Sequence, residues 1–195
     1  MKLLKSLFLV ISLTMASQVF CQEVTLIDGN FKALNGQSYV SLKLTYESLQ
    51  VGKYKNESDY VSKRVAEINK KYPGKGEDWA ANWVNQRKLY FEPAFAKAFK
   101  QGSGKDTLAT AMYTLIFKTS YIEQGFSSAA ILVHKNPEIR GELILIKTGD
   151  STHVLGRAKV TRALGKAGPH FETGEHIDGA YSEAGTALGV FILNN

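Results

Sequence analysis

Histidine and carboxylate side chains crowd one short stretch of this chain, where His170, Glu172, Glu175, His176 and Asp178 fall within nine positions. Neutral imidazole and carboxylate are the ligands of a catalytic divalent metal, so His170, Glu172 and His176 are the weak metal candidates, and with them comes a metal-dependent hydrolase. Their spacing argues for something plainer. His170 and His176 straddle the Thr173-Gly174 turn, and neither a His-x-x-x-His pair nor a zincin pattern is formed. A polar lead-in to a helix accounts for the same residues, because Thr173, Glu175 and Asp178 suit a helix N-terminus.

Three further motifs fail on a required neighbour. Gly102-Ser103-Gly104-Lys105-Asp106-Thr107 has the glycines and lysine of a phosphate loop, but Phe99 stands where the first glycine belongs and Asp106 where Ser or Thr must follow the lysine. Gly125-Phe126-Ser127-Ser128-Ala129 ends in Ala where a nucleophile elbow needs glycine. Lys147-Thr148-Gly149 resembles one element of a penicillin-recognising enzyme, yet Ser-x-x-Lys and Ser-Asp-Asn are both missing downstream of the leader. No catalytic residue and no cofactor pattern is legible, and the expectation is a non-enzyme.

Binding residues are the stronger candidates. Arg157 and Lys159 alternate with Ala158 and Val160, placing two cations on one side of a strand with Lys166 just beyond, a surface suited to an acidic polymer or a lipid headgroup. Basic residues on an edge strand also discourage unwanted pairing. Arg162 is expected to be held by a carboxylate. Trp79, Trp83, Tyr90, Phe91, Phe95 and Phe99 form the densest aromatic group; helical spacing predicts core, with Trp79 the candidate for an exposed ligand contact because it begins its helix.

The elements that position these residues follow from periodicity. Ser38 to Tyr46 alternates, with Val40, Leu42, Leu44 and Tyr46 on one side, and reads as the first strand. Asn56 to Asp59 supply N-cap chemistry for a helix with Val61, Val65 and Ile68 on its apolar face, ending before Tyr72-Pro73-Gly74. A second helix carries Trp79 and Trp83, and Pro93 kinks it or starts another. Strands follow at Thr107 to Tyr121, Ala129 to His134, Gly141 to Lys147 and His153 to Leu164, with a hairpin loop at Thr148 to Ser151.

Ile177, Tyr181, Ala184, Leu188 and Phe191 then recur at helical steps, and Gly185 and Gly189 lie one turn apart, as close helix packing requires. This order predicts an α+β fold of two layers, a mostly antiparallel sheet of four to five strands with helices mainly on one face. Leu143 to Ile146 is apolar on both phases, so the second face of that strand requires cover from the Trp-bearing helices or from a partner subunit.

Residues 1–21 read as a signal peptide, with Lys2 and Lys5 before the short apolar run Leu7 to Met15, leaving 22–195 as a single domain. Cleavage after Cys21 removes two lysines and the single cysteine, which excludes thiol chemistry and disulfides from the mature form and lowers the net charge of +6. Lipid anchoring through Cys21 is the lesser reading, because Phe20 replaces the small residue a lipobox needs. With 44% hydrophobic and 22% charged residues the chain is of ordinary globular composition. No run of five or six like charges occurs, so no nucleic-acid partner is expected, and after signal removal no segment is long enough to cross a membrane.

The export signal, the Tyr121-Ile122-Glu123-Gln124-Gly125-Phe126 segment between strands and the closing Ile177-Asp178-Gly179-Ala180-Tyr181 to Ala184-Gly185 helix together resemble small secreted bacterial proteins of uncharacterised function. The element order is similar to the α/β module at the amino terminus of TolB and in the curli-secretion lipoprotein CsgG. The resemblance implies a periplasmic or extracellular envelope protein, an assembly or interaction module without catalytic residues. Its expected partner is another envelope protein or a second copy of the chain in a homodimer.

Overall fold

A computed structural model describes residues 24–128, 133–166 and 177–195. The leader, most of the predicted strand Ala129 to His134, and the metal candidates His170, Glu172 and His176 lie outside the described residues. The fold is α+β. Five substantial strands carry the sheet: β1 (Val24–Gly29), β2 (Tyr39–Thr45), β5 (Tyr113–Glu123), β8 (Glu138–Lys147) and β9 (Asp150–Leu164). Two-residue strands β3 (Gln50–Val51) and β4 (Asp106–Thr107) extend it, and β6 (Phe126–Ser128) and β7 (Val133–Lys135) form a separate small hairpin. The helices are α1 (Glu57–Lys71), α2 (Lys75–Gln86), α3 (Glu92–Ser103) and α4 (Ile177–Asn194), with one π turn at Arg87–Phe91.

The sheet order is β1-β9-β8-β5-β2-β4. Pairings β1/β9, β9/β8 and β8/β5 are antiparallel, whereas β2 joins β5 in parallel, so the sheet is mixed with an antiparallel majority among its long strands. The parallel pairing has a covalent cause. Between β2 and β5 the chain must return to the same end of the sheet, and α1, α2 and α3 supply that crossover.

Sequence periodicity misses β1, so the first strand is Val24–Gly29 and not the Ser38 to Tyr46 segment. Its alternation is broken by a register shift between Leu26 and Asp28, which leaves Ile27 exposed and hides the two-residue period. The strand predicted from Thr107 also divides. Leu108 to Met112 is a turn, closed by Ala111 N donating to the Leu108 carbonyl, and the long strand begins at Tyr113.

Asn56 caps α1 as its sequence position implies, its Oδ1 accepting from Asp59 N at 2.9 Å. Pro93 starts a further helix, the second of its two expected roles, and that helix, α3, carries Phe95 and Phe99. The π turn at Arg87–Phe91 runs directly into α3, and Pro93 occupies the first turn of α3, where a missing backbone N–H costs nothing. The same turn directs Arg87 toward Glu57 and Phe91 into the core while leaving Leu89 and Tyr90 in solvent.

One face of the sheet carries Leu115, Phe117, Thr119 and Ile122 of β5, Ile139, Leu143 and Leu145 of β8, and Ala158, Val160 and Ala163 of β9, all fully buried. Phe95 of α3 stacks on Phe117 with centroids 4.8 Å apart, and Tyr181 of α4 stacks on Phe91 at 5.0 Å while its hydroxyl meets Thr119 Oγ1 at 3.0 Å. The two glycines of α4 are used inside the molecule. A Cβ at Gly185 would lie 2.5 Å from the Phe95 carbonyl oxygen, and one at Gly189 would lie 2.7 Å from that of Phe99, so the backbones of α3 and α4 touch.

At the margin of this layer sits a polar and aromatic cluster. Glu57 accepts from Trp83 Nε1 at 2.5 Å and from Arg87, whose guanidinium lies 4.2 Å from the centroid of the Tyr46 ring. Tyr60 donates to Gln124 Oε1 at 2.7 Å. Burial pushes the Tyr60 phenol up to about 12 and holds those of Tyr46 and Tyr181 well above their ordinary value.

Two outcomes follow from this packing. Gly185→Ala gains about 1 kcal/mol of helix propensity but drives a methyl into the Phe95 carbonyl, and the net effect expected in urea unfolding is a loss of about 2 kcal/mol. The buried phenols stabilise the fold in their protonated form, so their contribution is complete below the ordinary tyrosine pKa near 10 and is lost as pH rises toward the folded value, about 12 for Tyr60. Absorbance titration should therefore show a class of tyrosines ionising late and together with loss of near-ultraviolet circular dichroism.

Candidate functional site

Side chains alternate across a strand, so burying Leu143 and Leu145 against the helices turns Glu138, Arg140, Glu142, Ile144 and Ile146 of β8 to the opposite face. Register then assembles that face row by row. Lys43, Ile116, Ile144, Arg157 and Asp28 form one row across β2, β5, β8, β9 and β1, and Thr45, Lys118, Glu142, Lys159 and Thr25 form the next. The described helices α3 and α4 pack on the other side, so both rows stand open among the described residues. Ile116 and Ile144 are half-buried by their neighbours. On the second face of β8, Ile146 is buried while Ile144 is only half-buried, and the Trp-bearing helices do not lie over the row of Ile144.

Charge on this face is interleaved. Arg157 Nη1 lies 3.5 Å from Glu142 Oε1 and Nε lies 3.9 Å from Asp28 Oδ2, so the sequence-predicted cation sits between two carboxylates. Lys159 is exposed and in register with Glu142 and Thr25. Lys166 is exposed beyond the end of β9, roughly 30 Å along the chain from Arg157 at strand rise, so the three basic candidates are not brought to one place. Trp79 belongs to the helical side of the molecule altogether. It is half-buried, its ring stacked 6.0 Å from Trp83, edge-on to Tyr60 at 5.8 Å and covered by Arg64 at 5.7 Å, which makes it a margin of the core instead of an open aromatic platform.

At one end of the open face the charges converge on a buried acid. Glu138 is 10% exposed in its side chain and receives Arg140 at Oε1, 2.7 Å away, and Arg162 Nε at Oε2, 3.2 Å away. Arg162 is thus held by a carboxylate as its phase suggests. Arg140 also lies 4.5 Å over the Tyr121 ring, whose hydroxyl donates to Glu123 Oε2 at 3.3 Å, and Lys135 Nζ donates to the same oxygen at 2.5 Å. The hydrogen bond to Glu123 raises the Lys135 ammonium pKa, and burial raises that of the Tyr121 phenol. Beside this cluster is a cavity of about 270 Å³ lined by Lys135, Asn136, Glu138, Arg162 and Leu164. Sequence inspection misses it because its walls come from three strands and a turn, with Leu164 29 positions after Lys135.

The residues that mimic catalytic motifs have structural duties. Lys105 Nζ donates to the carbonyls of Leu34 and Gln37, both at 2.9 Å, and Gly104 ends α3 in the left-handed region. Thr148 and Gly149 form the β8/β9 turn, with Gly149 at φ 86°, and Thr148 Oγ1 lies 2.8 Å from Thr114 Oγ1. His153 is exposed beside Asp150, whose carboxyl is held down to about 2 chiefly by hydrogen bonds from Thr152. No cluster of three or more His, Cys, Asp or Glu side chains suited to a metal occurs among the described residues. No described helix is long and apolar enough to cross a membrane.

No protein-family model matches the chain, and no curated protein matches it. Among solved structures it is similar to the PelC dodecamer from Paraburkholderia phytofirmans in two crystal forms. One is 12% identical, with 88% of this chain and 95% of that chain covered at a TM-score of 0.38. The other is also 12% identical, with 85% and 97% covered at a TM-score of 0.39.

Proposed function

We propose that this protein is a non-enzymatic exported interaction module, and that the open face of its sheet is the surface by which it pairs with a second copy of itself. The observation that carries the reading is the pair of rows centred on β8. Ile116 and Ile144 lie side by side in a central position, flanked by Lys43, Lys118, Arg157 and Lys159 on the one hand and by Asp28 and Glu142 on the other. An apolar centre with a rim of both signs is self-complementary after a two-fold rotation, which is the requirement of an isologous interface. The segment Lys2 to Cys21 supports export, and assembly in the envelope is the role in keeping with it. Recognition of an acidic polymer is the weaker reading, because Arg157 is already neutralised by two carboxylates and Lys166 is remote.

Light scattering after size exclusion tests the pairing. The expected mass is twice that of the processed chain, falling to the single-chain value in Ile144→Lys and in Arg157→Glu, with unfolding midpoints of the two variants showing that both remain folded. A wild-type protein that stays at single-chain mass at every concentration would exclude self-pairing and direct the search to a different envelope partner.

A further inference from the structure

We infer that the cavity beside Glu138 is a receptor for a single oxyanion, a carboxylate or phosphate group, with Arg162 as its principal ligand. The inference stands apart from pairing through the Ile116 and Ile144 rows and uses different residues. The cavity is about 270 Å³ and lies between the end of β7 with the turn into β8, which supply Lys135 and Asn136, and the end of β9, which supplies Arg162 and Leu164. That volume is at the lower limit of small-molecule sites and takes one sugar-sized group or smaller.

Three features select an anion. Of the charged side chains that line the cavity, Lys135 and Arg162 stand against Glu138, which leaves one positive charge in excess. Glu138 lines the cavity and is bound by guanidinium on both of its oxygens, so its charge is compensated. Its contact with Arg162 runs through Nε, a side-on geometry that orients the guanidinium plane on a side chain still 63% exposed. A planar guanidinium oriented beforehand at a cavity mouth matches a carboxylate or phosphate better than a mobile lysine does. Leu164 gives the same cavity an apolar wall, suited to the carbon skeleton of a uronic acid or another small carboxylate.

Calorimetric titration of the purified chain with sodium glucuronate, inorganic phosphate and neutral glucose is the test, performed on wild type and Arg162→Gln. Arg162→Gln takes one of two cations from the buried Glu138, so its unfolding midpoint is expected to fall, and both proteins are titrated at a temperature where circular dichroism shows each to be folded. Saturable binding of an anion, weakened about tenfold by the substitution and weakened further by added salt, is the expected result, with no heat from glucose. Binding of glucuronate without phosphate identifies the carboxylate as the ligand group, and the reverse identifies phosphate. Equal binding of glucose and glucuronate, equal affinity in wild type and Arg162→Gln, or no saturable binding of either anion would overturn the assignment.

Discussion

Backbone contact between α3 and α4 is the constraint on which the rest of the molecule depends. Ordinary side chains hold packed helices 8–10 Å apart, and Gly185 and Gly189 remove that spacing where α4 crosses Phe95 and Phe99. Because the two helices touch, both reach the same sheet face: Phe95 from one stacks on Phe117, and Tyr181 from the other reaches Thr119. Each glycine sacrifices helix propensity, and the compensation is a layer in which aromatic rings from both helices share one core.

Concentrating the helices in that way decides what the other face is. β8 is apolar on both phases over Leu143 to Ile146, yet only Leu143 and Leu145 gain helical cover. Ile144 is left in an open row between Ile116 and Arg157, and the charged pairs around it are the ordinary means by which an exposed sheet is kept soluble and specific. Where β5 and β9 are bulged, near Ser120 and near Thr161, the rows twist and the charges gather on Glu138. The cavity lies at that irregularity, so the same bulges that disturb the ladder create the concave part of an otherwise open face.

Much of the architecture was legible because it rests on local rules. The alternation of β2, the Asn56 cap, the β8/β9 turn with its glycine and the helical recurrence through α4 each depend on a few neighbours, and each stands where its residues indicate. The departures share a cause as well. β1 is concealed by a bulge, the π turn by the lack of any residue type that demands it, and the division of the Thr107 segment by a turn with no glycine or proline in it. In each case tertiary contacts, and not local preference, selected the backbone geometry.

By itself the sequence determined the α+β class, the one-turn spacing of the helix glycines and the failure of each catalytic motif on a missing neighbour, since all of these are properties of residue type and short spacing. Only the tertiary structure decided where the candidate residues stand. Arg157 became one member of an ion-paired row, Lys166 was carried beyond the end of β9, and Trp79 was laid against Trp83. Glu138, Arg140 and Arg162 came together across two strands. Strand register brings residues distant in the chain to within a few ångströms, and no local pattern records which ones will meet.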